Sequence, residues 1–390
     1  MPVEAARRPA TLDERIVEYV ESVVRPQAAQ MARGDEQRFP RYVIEEAGRL
    51  GLCGLLVPKV HGGSAGTHLD FARLIEATAC ACASTAVILD VQASVAIEPL
   101  VQFGSEDQRR RYLPRLTRGE WLGAFALSEP GSGSDAASLQ TRAEHIDAGY
   151  RLTGTKMWIT NAGAADLYLV MARTGGEGAR GISAFLVEAE RPGVRPGRPL
   201  RKLGLRGSWT AELHLDGVEV PAGNLLGAEG AGFRIAMTAL DSGRIGISAQ
   251  AVGIAQGALD VAVERIRSSG DRAVGDLDLL MATDAALRFA ATGPLADMEA
   301  QVASSRQLTH HAAALCDAGR PFTREAAVAK LWSTEACVAV ASTAVDLCAP
   351  DSTDEWHPAA VRLRDARACT IYEGTSQVQR MVIARELLRA

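Results

Sequence analysis

The sequence has little that would tie it to a membrane, to nucleic acid or to an oxidising compartment. No stretch of the 390 residues approaches the ~20 apolar residues of a membrane span, and MPVEAARRPATLDERIVEYV at the N-terminus lacks the apolar core of a signal peptide. No membrane insertion is expected. Lysine occurs only at Lys59, Lys156, Lys202 and Lys330, acidic and basic residues are interleaved, and the net charge is −5. The basic footprint that a nucleic-acid partner requires is therefore missing. Seven cysteines, Cys53, Cys80, Cys82, Cys316, Cys337, Cys348 and Cys369, show no two-residue gap of the zinc-knuckle or thioredoxin kind, and their number is odd. Reduced, mostly buried thiols, no metal site and a cytoplasmic location are the expectations.

What is present describes an ordinary enzyme-sized globular protein, 47% hydrophobic and 23% charged. A single core rarely grows past about 250–300 residues, so two or three packed units are expected. Periodicity separates three of them, 1–122, 123–230 and 231–390. In the first, Leu12, Ile16, Tyr19, Val20 and Val23 share a helical face, as do Val43, Ala47 and Leu50. Ser84 to Phe103 predicts a buried helix, and Ser105 to Thr117 a capped one broken at Pro114. In the second, AFALS, YRLTGTKMWIT, DLYLVMA, ISAFLVE and AELHLDGVEV have strand composition, with Asp216-Gly217 as a hairpin signal. After Gly232 the helical period returns and holds to the end. The fold class is mainly α with a central β-barrel or sandwich.

Four segments carry candidate chemistry. In IYEGTSQVQR, Ser376 and Gln379 form a capping box, and Val378, Met381, Val382 and Leu388 then share a face. Glu373 precedes that helix N-terminus, where a carboxylate gains about 0.3–1 kcal/mol from the dipole; on position alone a structural role is the simpler one. FALSEPGSGSD, Phe125 to Asp135, runs from a strand into a Gly/Ser loop whose amides could hold phosphate, although it lacks the P-loop lysine. In GTKMWITN, Trp158 and Thr160 point to one face of a strand, which suits a flat heteroaromatic ring and equally suits a core tryptophan. In TALDSGRIGISAQ, Asp241 and Arg244 are three apart on a helix and form a ready surface pair.

Together and in this order, FALSEPGSGSDAASLQTRA, GTKMWITNAGAADLYLVMART, KLGLRGSWTAELHLDGVEVPAGNLLG and IYEGTSQVQRMVIAREL resemble the acyl-CoA dehydrogenase family over nearly the whole chain. The resemblance implies an N-terminal helical domain, a middle β-domain and a C-terminal four-helix bundle. It also implies a homodimer or homotetramer, with FAD bound between the last two domains. The implied reaction is α,β-dehydrogenation of an acyl thioester, on CoA or a carrier protein, with electron-transfer flavoprotein as acceptor. Glu373 would remove the α-proton as hydride passes from Cβ to flavin N5. Phe125, Leu127, Ser128, Ser134, Trp158, Ile159, Thr160, Thr375, Ser376 and Gln377 would bind FAD. Ser134, Asp241, Arg244, Gly374 and Arg385 would contact the substrate. Some members carry the glutamate one residue before the arginine of the Asp241 helix; here that residue is Gly243, which leaves Glu373.

Two family features are missing, both serving the adenine end of FAD across a subunit interface. An Arg-x-x-Phe-Gly motif is replaced within ERIRSSGDRAVGDLDLLMATDAALRF, where Arg272 is the nearest substitute, and a Gly-Gly-x-Gly loop by CAPDSTDEW, Cys348 to Trp356. Three readings follow: a dehydrogenase with a rebuilt interface, one subunit of a hetero-oligomer with an incomplete FAD site, or an oxidase or other flavin reaction on the same scaffold. Gln92, near Asp90 on the buried helix, is a candidate for recognising a functionalised acyl chain, although a satisfied buried amide is the simpler reading.

Overall fold

The computed structural model describes residues 10–31, 39–273 and 285–389, with side chains outside 269–291. Helices α1 (Leu12–Tyr19), α2 (Arg25–Met31), α3 (Arg41–Arg49), α4 (His68–Ala81), α5 (Ala83–Asp90), α6 (Glu98–Phe103) and α7 (Glu106–Thr117) come first. A π-helical turn, Val91–Ile97, joins α5 to α6 into one continuous buried rod. Ile16, Tyr19, Val20 and Val23 are buried, as the sequence pattern predicts. The capping box at Ser105 and Gln108 is present, but α7 does not break at Pro114. It runs on to Thr117, because buried Leu113 and Leu116 hold the last turn against the core.

Eight strands follow: β1 (Gly123–Ala126), β2 (Arg142–Ile146), β3 (Gly149–Thr160), β4 (Leu167–Arg173), β5 (Ile182–Glu188), β6 (Val194–Pro196), β7 (Thr210–Pro221) and β8 (Leu225–Leu226). Their order is β6-β7-β3-β2-β4-β5-β8, with β1 parallel to β4. The β3–β7 and β4–β5 halves meet at one bridge, Arg142 to Arg173, and pack face to face around Leu152, Ile159, Val170, Phe185 and Leu213. The outer face of β4 and β5 (Leu169, Met171, Ala184, Leu186) packs on helical residues such as Leu113 and Ile235. Burial on both faces explains why DLYLVMA and ISAFLVE read as unbroken apolar runs.

The hairpin expected at Asp216-Gly217 is not there. β7 runs straight through it: Leu152 pairs with Val218 and Gly154 with Leu215, so β7 carries one extra residue, and Gly217 at φ +63° takes the bulge. The hairpin lies instead between β2 and β3, where Ile146 pairs with Gly149. Strand β2 went unread because Arg142, Glu144 and His145 mask its alternation.

The last unit comprises α8 (Gly232–Ala273), α9 (Ala285–Asp317), α10 (Thr323–Leu347), α11 (Pro358–Cys369) and α12 (Ser376–Arg389). The three long helices pack on one another, α11 takes the fourth place against α8 and α10, and α4 lies across α8. Ala83–Phe103 and Gly232–Ser268 are, contrary to the sequence reading, long and apolar enough to cross a membrane; 83% of each apolar window is buried inside the fold, as core helices are. The predicted face of α12 is only partly covered by its own chain: Val382 is buried, while Met381 is 71% and Leu388 90% exposed.

Candidate active site

Glu373 sits between α11 and α12 in left-handed backbone, φ +51°, and Gly374 follows at φ +91°. Such a conformation is costly for a non-glycine residue and persists only where its surroundings hold it. Lys330 Nζ donates to the Gly374 carbonyl at 2.8 Å, and Gln379 Nε2 donates to the carbonyls of Glu373 (3.2 Å) and Gly374 (2.8 Å). Lys330 is fully buried, and burial pushes its ammonium down to about 8. Thr375, not Ser376, caps α12, since Thr375 Oγ1 accepts from the Val378 amide at 3.2 Å. Gln379 turns back to the two carbonyls instead of closing a box. Ser376 becomes the first helical residue, and its Oγ and Gln379 Oε1 are buried with no protein partner.

The Glu373 carboxyl reaches over α8. A Cβ on Gly243 would lie 2.1 Å from Glu373 Oε2, so only glycine there leaves the carboxylate its place. Oε2 is buried without a partner, and burial lifts the carboxyl from 4.5 to about 7 against the opposing pull of Lys330 and Arg244. Arg244 is 5% exposed and pairs with Asp241, whose other oxygen accepts from Thr323 Oγ1 at 2.8 Å. The pair is thus no surface pair, and Arg244 Nε is left without a partner. Arg385, exposed on α12 and bonded to Glu386 at 3.1 Å, acts through space on both. Glu373, Gly374, Thr375, Asp241, Arg244 and Arg385 are therefore one cluster.

The middle unit forms a second cluster. β3 bulges between Lys156 and Ile159, and Trp158 adopts φ +61° with 58% of its surface exposed. Ile159 turns into the β-core, while Trp158 and Thr160 face away from it; Ile159 therefore has only its backbone for a ligand. Leu127 is likewise buried, and Phe125, Ser128 and Thr160 are partly covered. Ser134 is exposed on the loop that follows; Gln377 is exposed on α12.

What holds the loop beside Trp158 is a pair the sequence reading missed. Lys156 Nζ, fully buried, donates to Glu129 Oε1 (2.7 Å) and to the Leu127 carbonyl (3.1 Å). Glu129 also accepts from the amides of Gln140 (2.6 Å) and Thr141 (2.9 Å). Burial disfavours both charges, yet Lys156 and the amides keep the Glu129 carboxyl below its usual range, and burial brings Lys156 to about 8. Breaking a buried pair from one side leaves an uncompensated charge, so Lys156→Met is expected to cost about 3–5 kcal/mol in urea unfolding.

At the place of the missing Gly-Gly loop, Asp351–Thr353 forms a short 3-10 turn, tied by Ser352 Oγ to the Val345 carbonyl at 2.6 Å. Arg272 lies outside the described side chains. A cavity of about 220 Å³ opens nearby, lined by Cys82, Ser84, Leu203, Trp356 and Arg364 among others; none of the predicted site residues lines it.

Among known proteins, family models of the acyl-CoA dehydrogenase N-terminal, middle and C-terminal domains match residues 10–120, 124–218 and 230–388. An acyl-CoA dehydrogenase of Bacillus subtilis (strain 168) is 41% identical over 95% of both chains. The butyryl-CoA dehydrogenase structure from Megasphaera elsdenii is 36% identical, with TM-score 0.86 over 97% of this chain and 100% of that one. A chain from the work on the electron transferring flavoprotein of Acidaminococcus fermentans, also 36% identical, superposes over the full length of both with TM-score 0.91. With a glutamate poised over a glycine-cleared helix and three domain matches in order, the chain belongs to the acyl-CoA dehydrogenase family.

Proposed function

We propose that this chain dehydrogenates the Cα–Cβ bond of a short acyl thioester, with Glu373 as the base, and that it works as a homo-oligomer in the cytoplasm with an electron-transferring flavoprotein as electron acceptor. The carrying observation is the Glu373 carboxyl: buried, lifted to about 7, and lacking a partner on Oε2. A carboxyl with a pKa near the working pH is a stronger base than a solvated one and is still ionised often enough to act.

The residues present fit FAD. Trp158 offers an exposed aromatic face in a backbone held strained, Ser376 Oγ is a buried hydroxyl lacking a partner at the start of a helix, and a Cβ on Gly131 or Gly133 would meet nothing within 4 Å. Phe125, Ser128, Ser134, Trp158, Thr160, Thr375, Ser376 and Gln377 would hold the cofactor. When bound, FAD supplies the two-electron acceptor for the hydride leaving Cβ. Glu373 takes the α-proton onto Oε2, Lys330 and Gln379 keep its backbone turned, and Arg244 lends positive charge beside it.

A short chain is inferred from the butyryl-CoA relative, and a homo-oligomer from Trp332, Ile371, Met381, Leu387 and Leu388, which are 48–90% exposed on and beside α10 and α12. The hetero-oligomer reading draws on the two missing motifs, the absent Arg-x-x-Phe-Gly and the glycine-free segment Cys348 to Trp356. The purified chain should be yellow and bleach anaerobically with butyryl-CoA. Colourless protein that loads flavin only beside a co-expressed relative would favour the hetero-oligomer, and peroxide formed in air would favour an oxidase.

A further inference from the structure

Three buried carboxyls converge on the first half of α8, at Ser242, Gly243 and Gly246, and only one lacks an explanation. Glu98 is satisfied by His68 (3.2 Å), Gln102 (2.8 Å) and Ser242 (2.5 Å). Glu373 is the base. Asp90, 0% exposed at the last turn of α5, has a single carboxylate contact among the described residues, Ser94 Oγ at 3.2 Å, whose hydroxyl lies closer still to the Asp90 carbonyl (2.8 Å), and its Oδ2 is buried with no partner there. Gln92, the other polar candidate on this rod, is fully used: its Nε2 donates to the carbonyls of Leu116 (3.0 Å) and Trp121 (2.9 Å), and its Oε1 accepts from the Gly123 amide at 2.6 Å.

Asp90 and Glu373 rest on the same strip of α8. A Cβ on Gly246 would lie 1.8 Å from Asp90 Oδ1, as one on Gly243 would lie 2.1 Å from Glu373 Oε2. Positions three apart on a helix share a face and lie about 5–6 Å apart, so the two carboxyls stand one turn from each other over a glycine floor. Asp90 is also set where the helix widens into a π-turn, a feature that concentrates at functional sites. A buried carboxyl with a free oxygen costs stability, and a hydrogen-bond donor from a ligand removes that cost.

We infer that Asp90 binds the far end of the acyl chain, and that the preferred substrate is a short acyl thioester carrying a hydrogen-bond donor, hydroxyl or ammonium, about two carbons beyond the carbon that Glu373 deprotonates. The inference rests on the dehydrogenase reading for the position of the thioester. The groups facing Asp90 agree with a donor ligand: Glu373, Glu98 and Tyr372 approach it, and the charges acting on its carboxyl are those of Glu373 and Glu98, both acidic. Together with burial they hold Asp90 well above the usual carboxylate range. A hydroxyl can bond to either protonation state, whereas an ammonium supplies the missing counter-charge.

The test is binding to flavin-loaded Glu373→Gln protein, measured by calorimetry with butyryl-CoA, 4-hydroxybutyryl-CoA and 4-aminobutyryl-CoA. At least one functionalised thioester should bind ~10–100-fold tighter than butyryl-CoA, and the arm that does so tells hydroxyl from ammonium. Asp90→Leu in the same background should close that gap. Equal affinity for all three, or a gap that Asp90→Leu leaves intact, overturns the inference; the first comparison needs no Asp90 variant to fold. Failure of the dehydrogenase reading would show separately, as wild-type protein that no thioester bleaches, and would leave the binding ratios readable.

Discussion

Glu373→Gln is expected to lower kcat by about 10³–10⁴-fold while the protein stays folded and yellow. General-base catalysis contributes on the order of 10²–10⁴-fold, and this base works on a carbon acid, which places the loss at the upper end. Glutamine keeps the shape of the side chain and the left-handed turn, because Lys330 and Gln379 hold the backbone carbonyls and not the carboxyl. Only the proton acceptor is lost. Stopped-flow bleaching, with flavin content read from the absorbance of the same sample, separates the two effects. The pH profile gives the matching test in wild type. The carboxyl must be ionised to act, and burial raises it to about 7, so kcat/KM should climb through pH 6–8 and level off above. The sign on stability is opposite. A carboxyl raised from 4.5 in the unfolded chain favours folding below that value and loses the advantage as pH rises through 7. Glu373→Gln should therefore unfold at no lower temperature than wild type at pH 8. Full activity in the variant would end the assignment of the base.

The parts of this site that were legible in the sequence are those whose signal is local. Spacing of a few residues marks out Glu373 beside Gly374 ahead of a helix, and Asp241 with Arg244 one turn apart, but by itself favours a structural carboxylate and a surface pair; their place in the site comes from the family resemblance of the ordered segments. Local rules also misfired, each for a physical reason. Asp-Gly favours positive φ, which serves a hairpin turn and a bulge alike, and only the partner strand β3 decides in favour of the bulge at Gly217. Thr375 and Ser376 are both good caps; the deciding contacts come from Lys330, 44 residues away, which draws the Gly374 carbonyl and fixes where the helix begins. The Lys156–Glu129 pair spans 27 residues and joins a strand to a loop, so no periodicity reports it. Asp90 and Glu373 are farther apart still in sequence. Their relation appears only when both are seen to need a glycine on the same face of α8, and Gly243 and Gly246 read in isolation are merely two weak spots in a helix.

Gly243→Ala should cost about 100-fold in kcat with little change in Tm, which sets it apart from an ordinary packing mutation. Glycine in a helix interior is unfavourable by roughly 0.5–1 kcal/mol relative to alanine, so the helix itself gains from the substitution. What the new methyl group meets is the end of one flexible side chain: Glu373 Oε2 at 2.1 Å, Cδ at 2.8 Å and Oε1 at 3.0 Å. No backbone atom is among these contacts, so the clash is relieved by swinging the carboxylate away, at small cost to the fold. Function cannot absorb the same movement. The oxygens must shift by about an ångström to reach ordinary contact, and a displacement of that size between reacting groups costs on the order of 10²-fold. Gly246→Ala provides the control on the same face, since its methyl group would press on Asp90 and not on the base. Its effect should fall on the ranking of acyl chains, with bleaching of the best substrate reduced far less. If Gly243→Ala kept wild-type kcat, Glu373 would not be working from the position over α8 in which it is found, and the base would have to act from another rotamer.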